Sequence, residues 1–169
     1  FRGMELVVQD RTPEDAAHIV QRICGVCPVS HAHASSIAAE KAYGIEIPNN
    51  ARIIRNLIEG GQFLHSHILW FYTLAALDYV NPLNGLNANI ADAYDLAQAA
   101  GTSMNTDLRA LAQRLTTFAE NGQMSIFSGN WWKNGAADTE FNLPAELDLI
   151  CTAHYIEALT MQSKASEIC

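Results

Sequence analysis

The chain has 169 residues, with 10 basic against 18 acidic side chains and a formal net charge of −8 when its histidines are neutral. Hydrophobic residues make up 49% and charged residues 17%, enough apolar material for a sizeable core and too little charge for a disordered chain. The acidic excess excludes nucleic acid and anionic membrane surfaces as main partners, because both reward basic patches.

In chain order, Phe1 to Val8 mixes bulky and polar residues and runs into Gln9-Asp10-Arg11, which predicts a short N-terminal strand or extended lead-in. Thr12 before Pro13, followed by Glu14 and Asp15, supplies an N-cap residue, a proline at the first helical position and acids in the first turn. A helix is therefore expected to about Arg22, with Ala17, Val20 and Ile23 on one face. Gly25 and Pro28 interrupt it.

Val29 to Tyr43 is alanine-rich and helical, and Gly44 followed by Pro48 predicts its end. From Asn50 to Val80, apolar residues recur at three- and four-residue steps over about 30 residues, the helical period. Trp70, Phe71 and Leu74 lie off that stripe, so this long helix is expected to be largely buried and to touch more than one neighbour. Two polar surface helices follow, near Ile90–Ala100 and Thr106–Asn121. Residues 123–144 read as an irregular loop carrying Trp131 and Trp132, and a last helix starts at Pro144.

The longest strongly apolar window, Ile68 to Leu77, falls well short of the roughly 20 residues that span a bilayer. No export signal is recognisable. The chain opens on Phe1 and stops at Cys169 within an apolar-periodic stretch, so it is expected to be a piece of a longer protein. Without repeats or linkers, residues 1–169 read as one incomplete, mainly α-helical region.

Of the four cysteines, only Cys24 and Cys27 are closely spaced, as C-x-x-C across Gly25. Two thiolates so placed can face one centre and suit zinc, iron, nickel or a dithiol pair. A thioredoxin-like dithiol should follow a strand, whereas a capped helix precedes this motif. Zinc needs two more ligands, and His31 and His33, two residues apart, fall on different helix faces.

The longer string Arg22-Ile23-Cys24-Gly25-Val26-Cys27-Pro28-Val29-Ser30-His31, R-x-C-G-x-C-x-x-x-H, resembles the N-terminal metal-binding motif of the large, catalytic subunit of nickel-iron hydrogenases. Further matching stretches follow the same order: Phe1-Arg2-Gly3-x-Glu5, Ile47-Pro48-x-Asn50-Ala51, Ile54-Arg55-Asn56-Leu57, His67-Ile68-x-x-Phe71-Tyr72, Ala76-Leu77-Asp78 and Thr152-Ala153-His154-Tyr155-x-Glu157-Ala158-Leu159. The resemblance spans nearly the whole chain and is nearest to the membrane-associated, H2-uptake type.

The resemblance implies a multi-helix part of the hydrogenase large-subunit fold, with Cys24 a terminal nickel ligand and Cys27 bridging nickel to an iron that carries carbon monoxide and cyanide. Soft thiolates suit a nickel centre that changes oxidation state. H2 would be cleaved heterolytically, with a cysteine sulfur as one candidate base. By the same resemblance His31 donates to a bridging thiolate, Arg22 offsets thiolate charge, and Glu5 is a ligand to a separate magnesium ion, which favours hard oxygen donors. The implied partner is an iron-sulfur small subunit, reaching a membrane cytochrome and placing the pair on the outer, periplasmic face of the membrane.

The family's second cysteine pair, a D-P-C-x-x-C stretch, does not occur in these residues, so this chain by itself is expected to be inactive. An H2-sensing subunit, a metal-free relative from respiratory complex I and a zinc-binding helical module are the competing readings, and Cys24 with Cys27 argues against the second. His18, His65 and His67 read as satisfied polar groups or subunit contacts. Cys151 and His154, one turn apart, read as core, and Cys169 has no assigned role.

Overall fold

The computed structural model describes residues 2–128 and 143–168. Among them the regular structure is helical: α1 (Met4–Val7), α2 (Pro13–Val20), α3 (Pro28–Tyr43), α4 (Asn49–Leu69), α5 (Ile90–Ala99), α6 (Leu108–Glu120) and α7 (Ala145–Ser166), joined by short 3-10 turns. The chain divides into two compact units, one of residues 1–67 with 162–169 and one of residues 68–161. Both boundaries fall inside helices, α4 and α7, so no linker in the sequence marks them.

The expected N-terminal strand is not present among the described residues; Met4–Val7 forms the single turn α1 instead. Gly3, at φ 76°, turns the chain sharply, and its carbonyl accepts the amides of Leu6 and Val7 while that of Met4 accepts Val8. With no neighbouring strand among the described residues, local bonds satisfy the backbone. Met, Glu and Leu are also good helix formers.

In the first unit, α2 starts as the Thr12-Pro13 pair predicts: the Thr12 side chain accepts the Asp15 amide at 3.2 Å. α3 begins with Cys27 as its N-cap residue and Pro28 inside, and it ends on Gly44 at φ 65°, whose left-handed backbone an L side chain resists. α4 buries Gly61 and Gln62 but leaves Ile54, Leu57 and Leu64 exposed, Leu57 at 66%. The expectation of a largely buried helix is thus not met within these residues, although its apolar stripe is present.

In the second unit, the helical run continues past Leu69 as a wider π-helical turn, Trp70–Ala75. The Thr73 hydroxyl donates to the Leu69 carbonyl, the acceptor that a regular α-helix would give to the Thr73 amide. The core comprises Ala93 and Ala97 of α5, Leu108, Leu111 and Leu115 of α6, Met124, and Leu149, Ile150 and Ala153 of α7. The two helices expected to be surface elements therefore carry this core on one face each.

Three acids of α7 tie down the turns around that core. Glu146 accepts the Asn89 amide (3.0 Å), Asp148 accepts the Asn81 amide (2.8 Å) and the Asn84 side chain (2.7 Å), and Glu157 accepts the amides of Asn105 (2.7 Å) and Thr106 (2.8 Å). Trp131 and Trp132 lie outside the described residues. No helix of the described residues is long and apolar enough to cross a membrane.

Candidate metal centre

The 3-10 turn Gln21–Ile23 ends α2, and the backbone becomes extended at Cys24. Gly25 and Val26 then form a tight loop back to Cys27, from which α3 departs. His31 lies four residues beyond Cys27 and so on the same side of α3. As a result Cys24, Cys27 and His31 offer ligand atoms that all lie within 4.8 Å of one another, the only such group of three His, Cys, Asp or Glu side chains among the described residues.

The loop is wrapped around Cys24. Its Sγ accepts the backbone amides of Val26 (3.4 Å) and Cys27 (3.2 Å). A hydrogen bond with Cys27 holds the Cys24 thiol below the ordinary cysteine range, helped by these amides and by the charge of Arg2. The same hydrogen bond, with burial and the charges of Cys24 and Glu59, pushes Cys27 up to about 11. Of the two thiols, Cys24 is thus the one that ionises more readily. Two soft sulfurs and an imidazole around one point form a donor set that fits nickel or another thiophilic metal and does not fit magnesium or calcium.

The other site expectations are placed as follows. Arg22 is exposed, contacts the Gln21 side chain at 3.4 Å, and lines a cleft of about 440 Å³ that also borders Gly25, Val26 and His65. The arginine whose charge acts on Cys24 is Arg2, which also donates to the Ile23 carbonyl. Glu5 sits exposed on α1 and is not drawn into the sulfur cluster. His33, which the spacing separates from His31, turns instead to Glu59 at 3.3 Å. His67 bonds the Phe63 carbonyl through Nδ1 at 2.8 Å. In the second unit, His154 pairs with Thr102 at 3.1 Å, and Cys151 has its thiol pushed up by burial and by Asp148.

Sequence reading missed Glu59 and Gln62 of α4. Glu59 accepts the Ser30 hydroxyl and pairs with His33, while Gln62 donates to the Val26 carbonyl at 2.7 Å and to Ser66 Oγ at 2.8 Å. The available signal was a polar stripe at helical spacing, Arg55, Glu59, Gln62 and Ser66, running along an apolar-patterned helix.

Comparison with known proteins gives a consistent picture. The family model described as nickel-dependent hydrogenase matches residues 2–169. The uptake hydrogenase large subunit of Rhodobacter capsulatus is 40% identical over 99% of this chain and 28% of its own length, and the hydrogenase-1 large chain of Escherichia coli is 39% identical over the same shares. The reduced Ni-Fe-Se hydrogenase of D. vulgaris Hildenborough superposes with a TM-score of 0.65 at 32% identity, over 99% of this chain and 26% of that one. The chain therefore spans a little over a quarter of the length of these relatives, and it belongs to the nickel-dependent hydrogenase family.

Proposed function

We propose that this chain supplies the first pair of thiolate ligands to the nickel-iron centre of a hydrogenase large subunit, and that the protein catalyses reversible heterolytic cleavage of H2 in the uptake direction. The observation that carries this reading is the convergence of Cys24, Cys27 and His31 within 4.8 Å in a chain of the nickel-dependent hydrogenase family. The uptake direction rests on the names carried by similar large subunits.

When bound, the nickel-iron centre, with carbon monoxide and cyanide on its iron, polarises H2 so that the molecule can be split. Cys24 would serve as a ligand to nickel, and Cys27 as a ligand to both nickel and iron. The amides of Val26 and Cys27 bond the Cys24 sulfur and favour its thiolate as a metal ligand; as a terminal ligand it would be one candidate base for the proton released on cleavage. His31, whose ring lies within 4.8 Å of both sulfurs, would donate to the Cys27 sulfur and lower its basicity. Arg2 and Arg22 offset thiolate charge, and Glu5 serves a separate magnesium ion. A second cysteine pair completes the ligand set from sequence beyond these residues, so this segment by itself would not turn over H2.

Electrons leave to an iron-sulfur small subunit and from there to a membrane cytochrome, which places the pair on the outer face of the membrane. No observation favours the H2-sensing or zinc-module alternatives. The test is metal analysis with H2-dependent dye reduction on the full-length protein and its Cys27→Ser variant. The expected result is nickel and activity in the parent and neither in the variant; zinc in place of nickel, with no H2 oxidation, would overturn the proposal.

A further inference from the structure

Gln62 is a polar side chain 3% exposed on α4, and it reaches 36 residues back along the chain to the loop between the two cysteines. Both of its amide hydrogens are engaged, one by the Val26 carbonyl and one by Ser66 Oγ. The Ser66 contact, one turn further along the same helix, fixes the amide so that it faces the loop.

The Val26–Cys27 peptide is thereby held at both ends. Its carbonyl accepts from Gln62, and its N–H donates to Cys24 Sγ at 3.2 Å. A trans peptide is planar and its carbonyl and N–H point in opposite directions, so fixing the oxygen aims the hydrogen at the sulfur. Glu59, one turn earlier on α4, holds the start of α3 through Ser30 and His33. One helix face thus grips both the loop between the cysteines and the helix that carries Cys27 and His31.

We propose that Gln62 is a positioning residue for the metal pair: through the Val26 carbonyl it sets the peptide that bonds Cys24 and keeps both sulfurs turned toward one point. This rests on the reading of Cys24 and Cys27 as metal ligands. Losing a side chain that orients metal ligands typically weakens affinity about ten- to a hundredfold.

The experiment titrates the metal-stripped full-length protein with cobalt(II) and follows its thiolate-to-cobalt absorption, for wild type, Gln62→Glu, Gln62→Met and Ser66→Ala. Gln62→Glu keeps size but turns a donor into an acceptor facing a carbonyl, while Gln62→Met removes the polar group without emptying the site. The expected result is about tenfold or greater loss of cobalt affinity in both Gln62 variants, a displaced absorption band, a smaller loss in Ser66→Ala and unchanged helical circular dichroism. Cobalt affinity and band position equal to wild type in folded Gln62→Met would overturn the proposal. Should both Gln62 variants misfold, a wild-type affinity and band in Ser66→Ala would overturn it equally. Nickel in the isolated protein with no effect of Gln62 defeats the positioning role alone. A Gln62 effect on cobalt in a protein that naturally holds zinc defeats the nickel reading alone. A wild-type protein that binds no cobalt defeats both.

Discussion

Replacing Asp148 by alanine removes the acceptor that holds the turn after the π-helical segment against α7. The residue is 1% exposed and accepts the Asn81 amide at 2.8 Å and the Asn84 side chain at 2.7 Å. Hydrogen bonds to a charged acceptor contribute roughly 1.5–3 kcal/mol each, so the two together come to about 3–6 kcal/mol. Against this stands the cost of burying the carboxylate, which alanine relieves and which outweighs the extra strength that charge lends the two bonds, so the loss falls toward or below the lower end of that range. Leaving a buried donor without its acceptor costs about 1–3 kcal/mol, so the net expectation is a loss of about 1–3 kcal/mol in the second unit.

Asp148→Asn should cost less, about 1–2 kcal/mol. Its new amide meets a donor unless Asn84 flips, and a flipped Asn84 gives up its 3.1 Å bond to the Leu143 carbonyl. The sign of the pH effect separates this account from a simple ion-pair reading. Burial holds the Asp148 carboxyl above the usual aspartate range, against the bonds from Asn84 and Asn81. The folded protein therefore takes up the proton at higher pH than the unfolded chain, and the penalty for ionisation is relieved as pH falls through that raised value. The margin of wild type over Asp148→Ala should hold or widen between pH 7 and about pH 4.5. Amide hydrogen exchange over residues 145–158 and urea unfolding of the full-length protein measure it. A loss below about 0.5 kcal/mol, or a margin that shrinks on acidification, would refute the reasoning.

Three further outcomes are expected. In metal-free protein, iodoacetamide should modify Cys24 well before Cys27, because at pH 8 a thiol near 11 is ionised in only about one molecule in a thousand; mass spectrometry of partly alkylated peptides reads the order. Burial pushes the Glu157 carboxyl up, but bonds from Thr106 and Asn105 and the nearby His154 outweigh it and hold the group below its usual range. Its contribution is thus present at neutral pH and lost as pH falls through the depressed value, so Glu157→Gln should cost about 1–2 kcal/mol at pH 7 and nearly nothing by about pH 3 in denaturation curves. Gly85→Ala places a Cβ 3.1 Å from the Leu149 amide nitrogen and 3.2 Å from its Cα; backbone cannot retreat as a side-chain tip can, so a loss of about 1–3 kcal/mol in thermal unfolding is expected.

What could be read from sequence was what depends on near neighbours. Thr12-Pro13 marks the start of α2 and Gly44 the end of α3, because caps act within a few residues. The convergence of Cys24, Cys27 and His31 is local too: a two-residue loop and one helical turn bring the three together. The N-terminal strand failed because bulky residues mark a strand only where another strand supplies hydrogen bonds, and Gly3 turns Met4–Val7 into a helix. The polar look of α5 and α6 concealed Ala93, Ala97 and Leu111, since a narrow apolar stripe is enough to build a core in a small unit.

Within the site, the invisible contributors are those whose partners lie far along the chain. Gln62 reaches Val26, and Glu59 reaches Ser30 across 29 residues. Arg22 stands beside the motif in sequence, yet Arg2 supplies the charge that acts on Cys24. The contribution of Arg2 could not be read from neighbours in sequence: the turn Gln21–Ile23 leaves Arg22 exposed, while the Arg2 guanidinium reaches across 21 residues to bond Ile23 next to the cysteine.

The most direct test of the central claim is nickel-edge X-ray absorption on the full-length protein, compared with its Cys24→Ser and Cys27→Ser variants. The account predicts nickel surrounded mainly by sulfur in the parent, with fewer sulfur neighbours or no bound nickel in each variant. Nickel bound only by nitrogen and oxygen, or a sulfur shell unchanged by either substitution, would contradict it.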